Sequence, residues 1–484
     1  MATRPLSRDM FKGPAMLLLV SLLVACAGGA VPSTTPSQPA SSGAAVASSA
    51  KPSGQAGEAT SKPAVSPASA SPAAGKPAAS TATAESIKAG IVVPLTGPTS
   101  IAGKENIDGF NLYLASVNGA MAGRKIEVVN ADTAGQADVA LTKTKALVES
   151  SKVNVLMGLT LSPECLAVAG YVKEVHVPTI ISDNCGLGGL TTDPKIASPY
   201  IVRTTFSSQQ LTWPLADWAY KQGYRKAALI ASDYGGGLEV TDSWASAFVR
   251  RGGSIVQELH PALGTADFGP FLAQLDKSAD VLVEFTPGID GLRFGEQYGN
   301  YVSGRKLPVV VIAAVVTRGS NLLGLKDKAI GLVNGDIYSE ALDTPSNKQF
   351  LQLFKAKYPN DVVSTDHMGG YVGAQVLEAA LKKVNGNIEQ TPQFLEALYA
   401  TDTDTAKGTI KLDKYHDVIE NNYIYELVKQ EGAVTGVGQK LLQTYPNLTQ
   451  FGDLPEEQAR AFPWGKLKGQ WVGMTKDKLA AVGK

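Results

Sequence analysis

At 484 residues the chain is too long for one ordinary hydrophobic core, so two or three globular units are expected. It carries 44 basic and 44 acidic side chains, and a net charge of zero argues against nucleic acid as a partner, because such a surface needs a basic excess. Three cysteines, Cys26, Cys165 and Cys185, are too few for a disulfide scaffold or a thiolate metal cluster and have to be read singly.

The chain opens with Arg4, Arg8 and Lys12, runs through the apolar stretch Ala15–Val24 and reaches Leu23-Val24-Ala25-Cys26. A basic start, a short apolar run and small residues before a cut describe an export signal over residues 1–25, too short for a comfortable membrane span. A cysteine directly after Leu-Val-Ala resembles the lipobox of bacterial lipoproteins, which implies that Cys26 is acylated and becomes the mature N-terminus. Two or more acyl chains, at about 0.8 kcal/mol per methylene, would hold the protein on a membrane essentially permanently. Residues 27–84 are almost entirely Ala, Ser, Pro, Thr and Gly without apolar periodicity. They cannot bury enough surface to offset chain entropy, so 26–84 read as a lipid anchor and a disordered tether. As a flexible coil the tether spans roughly 40 Å.

From Glu85 strands and helices alternate. Gly90–Pro94 reads as a buried strand, Leu95–Ala102 as a turn-rich loop, and Lys104 onward as a helix with Ile107, Phe110, Leu114 and Val117 on one face. Strands follow at Lys125–Asn130, Val153–Met157, Pro178–Ser182 and Tyr200–Thr204, with helices at Ala137–Ser150 and Pro163–Glu174. A second run places helices at Gln209–Lys221 and Val240–Arg251, and strands at Lys226–Ser232, Ser254–Leu259, Val281–Thr286 and Pro308–Ala313. Two successive βα sheets of similar size mean an α/β protein of two lobes, each a mostly parallel sheet with helices on both faces. After Gly331–Tyr338 three helices, Ser346–Tyr358, His367–Val384 and Thr391–Leu398, need a sheet to pack on, and the first lobe is the natural host. Gly408–Asp413 and Asn422–Val428 alternate at period two and read as an antiparallel pair joined through His416-Asp417. Gln439–Lys484, with Pro446, Pro455 and Pro463, reads as a tail wrapped over the surface.

The chemistry of catalysis is not visible. His176, His260, His367 and His416 lie far apart and in no ligand spacing, so no metal is expected. There is no G-x-S-x-G elbow and no phosphate-binding G-x-x-x-x-G-K-[ST] run. Neither a cofactor nor an enzyme is expected. What remains is a set of loops at the carboxyl ends of strands, where open α/β sheets bind their ligands. Leu95–Ala102, Leu159–Pro163 and Asp183–Gly186 belong to one lobe; Ser232–Gly237, Thr286–Asp290 and Ala314–Ser320 belong to the other. The two groups could face each other across a cleft. Ser162-Pro163 places a hydroxyl at a helix N-cap and proline at the first helical position, where free amides could hold a carboxylate; Ser162 could equally only cap its own helix.

Several stretches carry a family resemblance when taken as a set. Ile91-Val92-Val93-Pro94-Leu95-Thr96-Gly97-Pro98, Gly123-Arg124-Lys125-Ile126-Glu127, Val177-Pro178-Thr179-Ile180-Ile181-Ser182, Ile201-Val202-Arg203-Thr204 and Ser232-Asp233-Tyr234-Gly235 resemble the branched-chain amino-acid (Leu/Ile/Val) class of periplasmic solute-binding proteins. The resemblance covers about Ser86–Val437. It implies a type I clamshell that closes on a small solute and delivers it to an ABC permease, as a monomer, with three crossovers near Thr205, Ile337 and Gly408. The lobes would then be 85–205 plus 338–407 and 206–337 plus 408–438, followed by the tail at 439–484.

By the same resemblance the ligand-holding loops correspond to Ser162 and to Asn184, Cys185 and Gly186, with Tyr234 lining the site and Thr96, Phe206, Pro287 and Ala314 around it. The family's amino-group-binding glutamate should follow Pro308–Ile312, but the chain has Ala313-Ala314-Val315-Val316 there. An α-ammonium group would be buried partly unpaired, at a cost of at least a few kcal/mol. The expected ligand is therefore a small apolar or aromatic carboxylate, with branched-chain amino acids as the alternative should Glu284 or Asp290 substitute. A ligand sensor for a membrane signalling partner is the rival to the importer. With Cys26 acylated, Cys165 and Cys185 are the thiols left in an oxidising compartment, either bridged or buried free.

Overall fold

The computed structural model of the chain describes residues 85–301 and 307–482. The export signal, Cys26 and the tether lie outside them.

The first sheet is built from β1 (Ile87–Val93), β2 (Ala120–Met121), β3 (Arg124–Asp132), β4 (Val155–Gly158), β5 (Thr179–Ile181) and β6 (Ile201–Arg203), in the order β2-β3-β1-β4-β5-β6. All neighbours are parallel except the short β2–β3 pair. Its central strand, Ile-Lys-Ala-Gly-Ile-Val-Val, is almost wholly buried, as a strand covered on both faces must be. Helices α1 (Ser100–Ser116), α2 (Ala137–Glu149) and α3 (Ser162–Val175) make the crossovers.

Helix α1 begins four residues before the expected Lys104, and its fully buried residues are Ala102, Gly103, Glu105, Asn106, Gly109, Phe110 and Leu112; Ile107, Leu114 and Val117 are only partly buried. Apolar spacing caught Phe110 but not the rest of this set, because glycine and polar residues make much of it.

The second lobe follows with α4 (Ser208–Lys221), β7 (Lys226–Ala231), α5 (Gly235–Arg251), β8 (Ser254–Leu259), α6 (Gly269–Ala273), β9 (Val281–Phe285), α7 (Ile289–Tyr301), β10 (Val309–Ile312), α8 (Gly319–Leu325) and β11 (Val333–Asp336). The chain then returns to the first lobe as α9 (Pro345–Lys357), α10 (Thr365–Lys383) and α11 (Thr391–Tyr399). Helix α10 lies directly on α1. A Cβ added to Gly109 would stand 1.8 Å from the His367 carbonyl oxygen, and one on Gly370 would stand 1.9 Å from that of Asn106, so both positions require glycine for the helix backbones to touch.

Four more strands complete the second sheet: β12 (Asp402–Thr405), β13 (Gly408–Leu412), β14 (Val418–Lys429) and β15 (Val437–Leu448). Its order is β12-β13-β14-β11-β10-β9-β7-β8, with β15 also paired to β14. The hairpin expected through His416-Asp417 is the antiparallel β13–β14 pair. Because β12 already belongs to this sheet, the third crossing precedes Gly408 and follows α11.

The stretch expected as a tail begins with a twelve-residue strand, β15. It is an edge strand with a largely solvated face, which is why its sequence lacks alternation and why Pro446 is tolerated in it. Beyond it the chain is fixed to the second lobe. Asp453 pairs with Arg251 at 2.7 Å and with Arg250, and fully buried Trp471 donates its indole N–H to Asp242 at 2.7 Å. Helices α12 (Glu456–Ala461) and α13 (Lys476–Ala480) close the chain. No helix among the described residues is long and apolar enough to cross a membrane.

Candidate functional site

The carboxyl ends of β4 and β5 in the first lobe face those of β7, β9 and β10 in the second. Several loop residues there hold left-handed backbone without being glycine: Leu159 (φ 64°) after β4, and Ala313 and Ala314 (φ 56° and 51°) after β10. Such conformations cost of order 1–3 kcal/mol each and persist where the surrounding structure fixes them.

The lobes touch directly. The Ile289 N–H donates to the Pro98 carbonyl at 3.1 Å, the Ser320 N–H and hydroxyl donate to Glu105 Oε1 at 3.1 and 2.9 Å, and the Ser162 hydroxyl donates to Glu239 at 3.3 Å. Gly288 (φ 70°) makes this closure possible: a Cβ there would lie 2.2 Å from the Pro98 carbonyl oxygen on the opposite lobe.

Between the lobes lies a cavity whose walls are mainly apolar. Ile101 and Leu161 line it from the first lobe and Phe206, Val240, Phe285 and Val315 from the second. Its polar groups are few. Arg318, preceding α8, pairs through Nη1 with Asp366 at 3.0 and 3.2 Å and gives Nη2 to the Ala313 carbonyl, while its buried Nε–H has no acceptor. Asp366, from the first turn of α10, also accepts from the Asn184 amide.

Burial opposes the Arg318 charge, but Asp366, Asp336, Asp183 and Glu105 outweigh it and raise the guanidinium pKa. Burial, then the adjacent Asp366, pushes the Asp183 carboxyl well above the ordinary range, although the Thr160 hydroxyl donates to it at 2.6 Å. Burial raises Asp336 to about 6. Glu239, behind Ser162, is pushed by burial to about 7 against the Gly188 N–H, the Ser162 hydroxyl and the Arg203 charge.

Of the residues expected at the site, Ser162, Asn184, Gly186, Phe206, Tyr234 and Pro287 line this cavity, whereas Thr96, Cys185 and Ala314 do not. The exposed Thr96 donates its hydroxyl to Asp132 at 2.8 Å. Cys185 is fully buried and disulfide-bonded to Cys165, with Cα atoms 6.5 Å apart. Ala314 is turned aside by the left-handed pair, so that its neighbours Ala313 and Val315 reach the wall instead.

Ser162 is the first residue of α3 rather than its N-cap, which is Leu161. The Glu164 carboxylate takes the Thr160 and Leu161 amides at 3.1 and 2.9 Å, while Asp183 takes that of Asn184 with its carboxylate and that of Cys185 with its backbone carbonyl. The loop amides expected to grip a carboxylate are thus reduced, in the main, to those of Ser162 and Gly186. Glu284 and Asp290 do not substitute: both are fully buried, Glu284 accepting from Thr286 and Asp290 from Gly264, and neither lines the cavity. Sequence reasoning missed Arg318, Asp366, Asn321 and Thr99. Arg318 and Thr99 did lie inside the named Ala314–Ser320 and Leu95–Ala102 loops, and a cation in the first of these was a signal for Arg318.

The profile of the family described as periplasmic binding protein matches residues 86–433. The chain belongs to the periplasmic binding protein family. This binding protein is 28% identical over 357 residues to the Leu/Ile/Val-binding protein homolog 6 of Brucella suis biovar 1 (strain 1330), covering 72% of this chain and 90% of the relative. Among solved structures it resembles the ABC transporter substrate-binding protein from Sphaerobacter thermophilus, with a TM-score of 0.69, 31% identity, and coverage of 75% of this chain and 98% of that one. It also resembles a solute binding protein of an ABC transporter from Rhodopseudomonas palustris BisB5 in complex with 3,4-dihydroxy benzoic acid, with a TM-score of 0.70, 29% identity, and coverage of 76% and 99%. The two-lobed type I fold and the solute-binding class expected from sequence both stand. The family implies a place outside the cytoplasm.

Proposed function

We propose that this periplasmic binding protein captures a small aromatic or apolar carboxylate between its lobes and passes it to an ABC permease, acting as a binding component and not as an enzyme. The observation that carries the ligand reading is Arg318, a cation with an unpartnered Nε–H on the wall of a mainly apolar cavity. A ligand carboxylate would accept from that donor and from the Ser162 and Gly186 amides, while a ring or branched chain filled the apolar remainder. The relative solved with 3,4-dihydroxy benzoic acid supports this choice.

The likeness to Leu/Ile/Val-binding relatives favours an amino acid as the second reading, and Asp366 does line the cavity. That carboxylate, however, already serves Arg318 and Asn184. An α-ammonium would compete with the guanidinium for it.

The same reading takes residues 1–25 as a lipoprotein signal peptide, Cys26 as the acylated N-terminus, 26–84 as the tether, and the mature protein as a monomer. It places the N-terminal lobe at about 85–205 plus 338–401 and the C-terminal lobe at about 206–337 plus 402–482, the latter including β12, β15 and the segment after it.

Calorimetric titration of purified protein tests the ligand reading. Benzoate is expected to bind, and Arg318→Met to weaken it by about 1.5–3 kcal/mol, the usual worth of a hydrogen bond between charged groups. Unchanged benzoate affinity in that variant would remove Arg318 from the site.

A further inference from the structure

A second buried group in the cavity asks for a different ligand chemistry. Asn321, third residue of α8 and 2% exposed, donates its side-chain Nδ2 to the Gly288 carbonyl at 2.9 Å and to the Val315 carbonyl at 2.9 Å. Both partners are pure acceptors, so the amide orientation is fixed: nitrogen faces the two carbonyls and Oδ1 faces the other way. That Oδ1 is buried, has no donor, and belongs to a residue on the cavity wall. A buried amide oxygen without a partner is costly, and a ligand group that donates to it recovers the loss.

Thr99 is a second buried polar group without a partner, its hydroxyl lying toward Gly135 of the first lobe. It occupies the N-cap position of α1, where a threonine hydroxyl ordinarily accepts a backbone N–H, yet it makes no cap bond. It is 2% exposed, its hydroxyl has no partner, and it too lines the cavity. Gly288, whose carbonyl holds Asn321, lies against Thr99, where an added Cβ would be 3.1 Å from the Thr99 Cα.

We infer that the ligand carries a hydroxyl group besides its carboxylate, donating to Asn321 Oδ1, so that hydroxylated aromatic acids are the preferred class. This rests on the carboxylate reading above and adds to it the group that sets specificity. A hydroxyl suits the site better than an ammonium because Asn321 and Thr99 are neutral, and the one carboxylate on the wall among the described residues, Asp366, is already paired with Arg318. The flat faces of Phe206, Tyr234, Phe285 and Pro287 suit a ring.

Titrations of the wild-type protein with benzoate, the three monohydroxybenzoates and the matching methoxybenzoates test it. At least one hydroxy isomer is expected to bind tenfold or more tightly than benzoate, a difference of about 1.4 kcal/mol, and its methoxy ether, which has no donor, to lose that gain. In Asn321→Leu the ratio of hydroxybenzoate to benzoate affinity should fall toward one, and the ratio is the readout. If Asn321→Leu fails to fold, the hydroxy-to-methoxy comparison on the wild type decides alone. Benzoate binding as tightly as every hydroxy isomer, or a ratio unchanged in Asn321→Leu, overturns the inference and leaves the carboxylate reading standing. Binding of leucine with no binding of any benzoate overturns that reading and the inference with it.

Discussion

Glu239 is the residue whose charge should be felt most in solution. It is buried between the lobes, with Ser162 and Ser208 on one side and the Gly188 N–H on the other, and its pKa is lifted from 4.5 to about 7. A carboxyl raised in the folded state contributes stability that is fully present below about pH 4.5 and is lost as pH rises to about 7. Glu239→Gln does not titrate, so its unfolding free energy should gain on that of the wild type by up to about 3 kcal/mol across that window. Parallel pH curves for the two proteins would show Glu239 is not held protonated. Affinity for an anionic ligand should fall over the same range, since Glu239 and Asp336 both become negative as their protons leave. Arg203 presents the opposite case. It is fully buried, bonded to Asp417 and to the Leu187 carbonyl, and Arg203→Ala should cost about 3–5 kcal/mol in chemical denaturation by leaving Asp417 buried and unpaired. At this scale the helix start at Ser162-Pro163 brought out Ser162, and the family resemblance brought out Asn184 and Tyr234. The sequence could not tell that Arg318 and Asp366, 48 residues apart, would meet. That pairing depends on the chain returning to the first lobe.

The elements position these groups through close backbone contacts that only the folded chain shows. Gly288 is the clearest lever, because substitution there should damage closure more than folding. Gly288→Ala pays about 1–2 kcal/mol for left-handed backbone in any state, but its methyl would meet the Pro98 carbonyl only when the lobes are shut. We expect ligand affinity to fall at least tenfold with a melting temperature only slightly lowered; an unchanged affinity would mean the lobes do not close through this contact. The disulfide acts one element away. It ties α3 to the Asn184–Gly186 loop and closes a loop of 20 residues, for which the chain-entropy model gives roughly 3 kcal/mol. Reductant should lower stability by about that amount and loosen the loop, which amide exchange of residues 184–187 would register; identical melting with and without reductant would count against it. Helix periodicity located α2, α3 and α10 to within three residues but misjudged the face of α1, whose contact with α10 depends on Gly109 and Gly370. Strand alternation found β14 and missed β15, an edge strand that has little reason to alternate.

At the scale of the whole molecule, two sheets and a cleft follow from the alternation of strands and helices, and the family membership follows from motifs spread over most of the chain. The cleft's chemistry does not, because its cation and its carboxylate come from opposite lobes. Anchoring belongs to the residues before Glu85: changing Cys26→Ser should move the protein from membrane to soluble fractions, and unaltered retention would rule the lipid anchor out. Neighbouring permease and ATPase genes would favour import over sensing. The cavity is expected to select an acid without an α-amino group. The most direct measurement is a thermal-shift comparison of matched pairs, leucine against 4-methylpentanoate and phenylalanine against 3-phenylpropanoate, each at the same concentration. A ligand at 100 times its dissociation constant stabilises the fold by about 2.7 kcal/mol, well within reach of such an assay. The acids are expected to raise the melting temperature and the amino acids to leave it unchanged; stabilisation by leucine with none from either acid would contradict an acid-selective cavity.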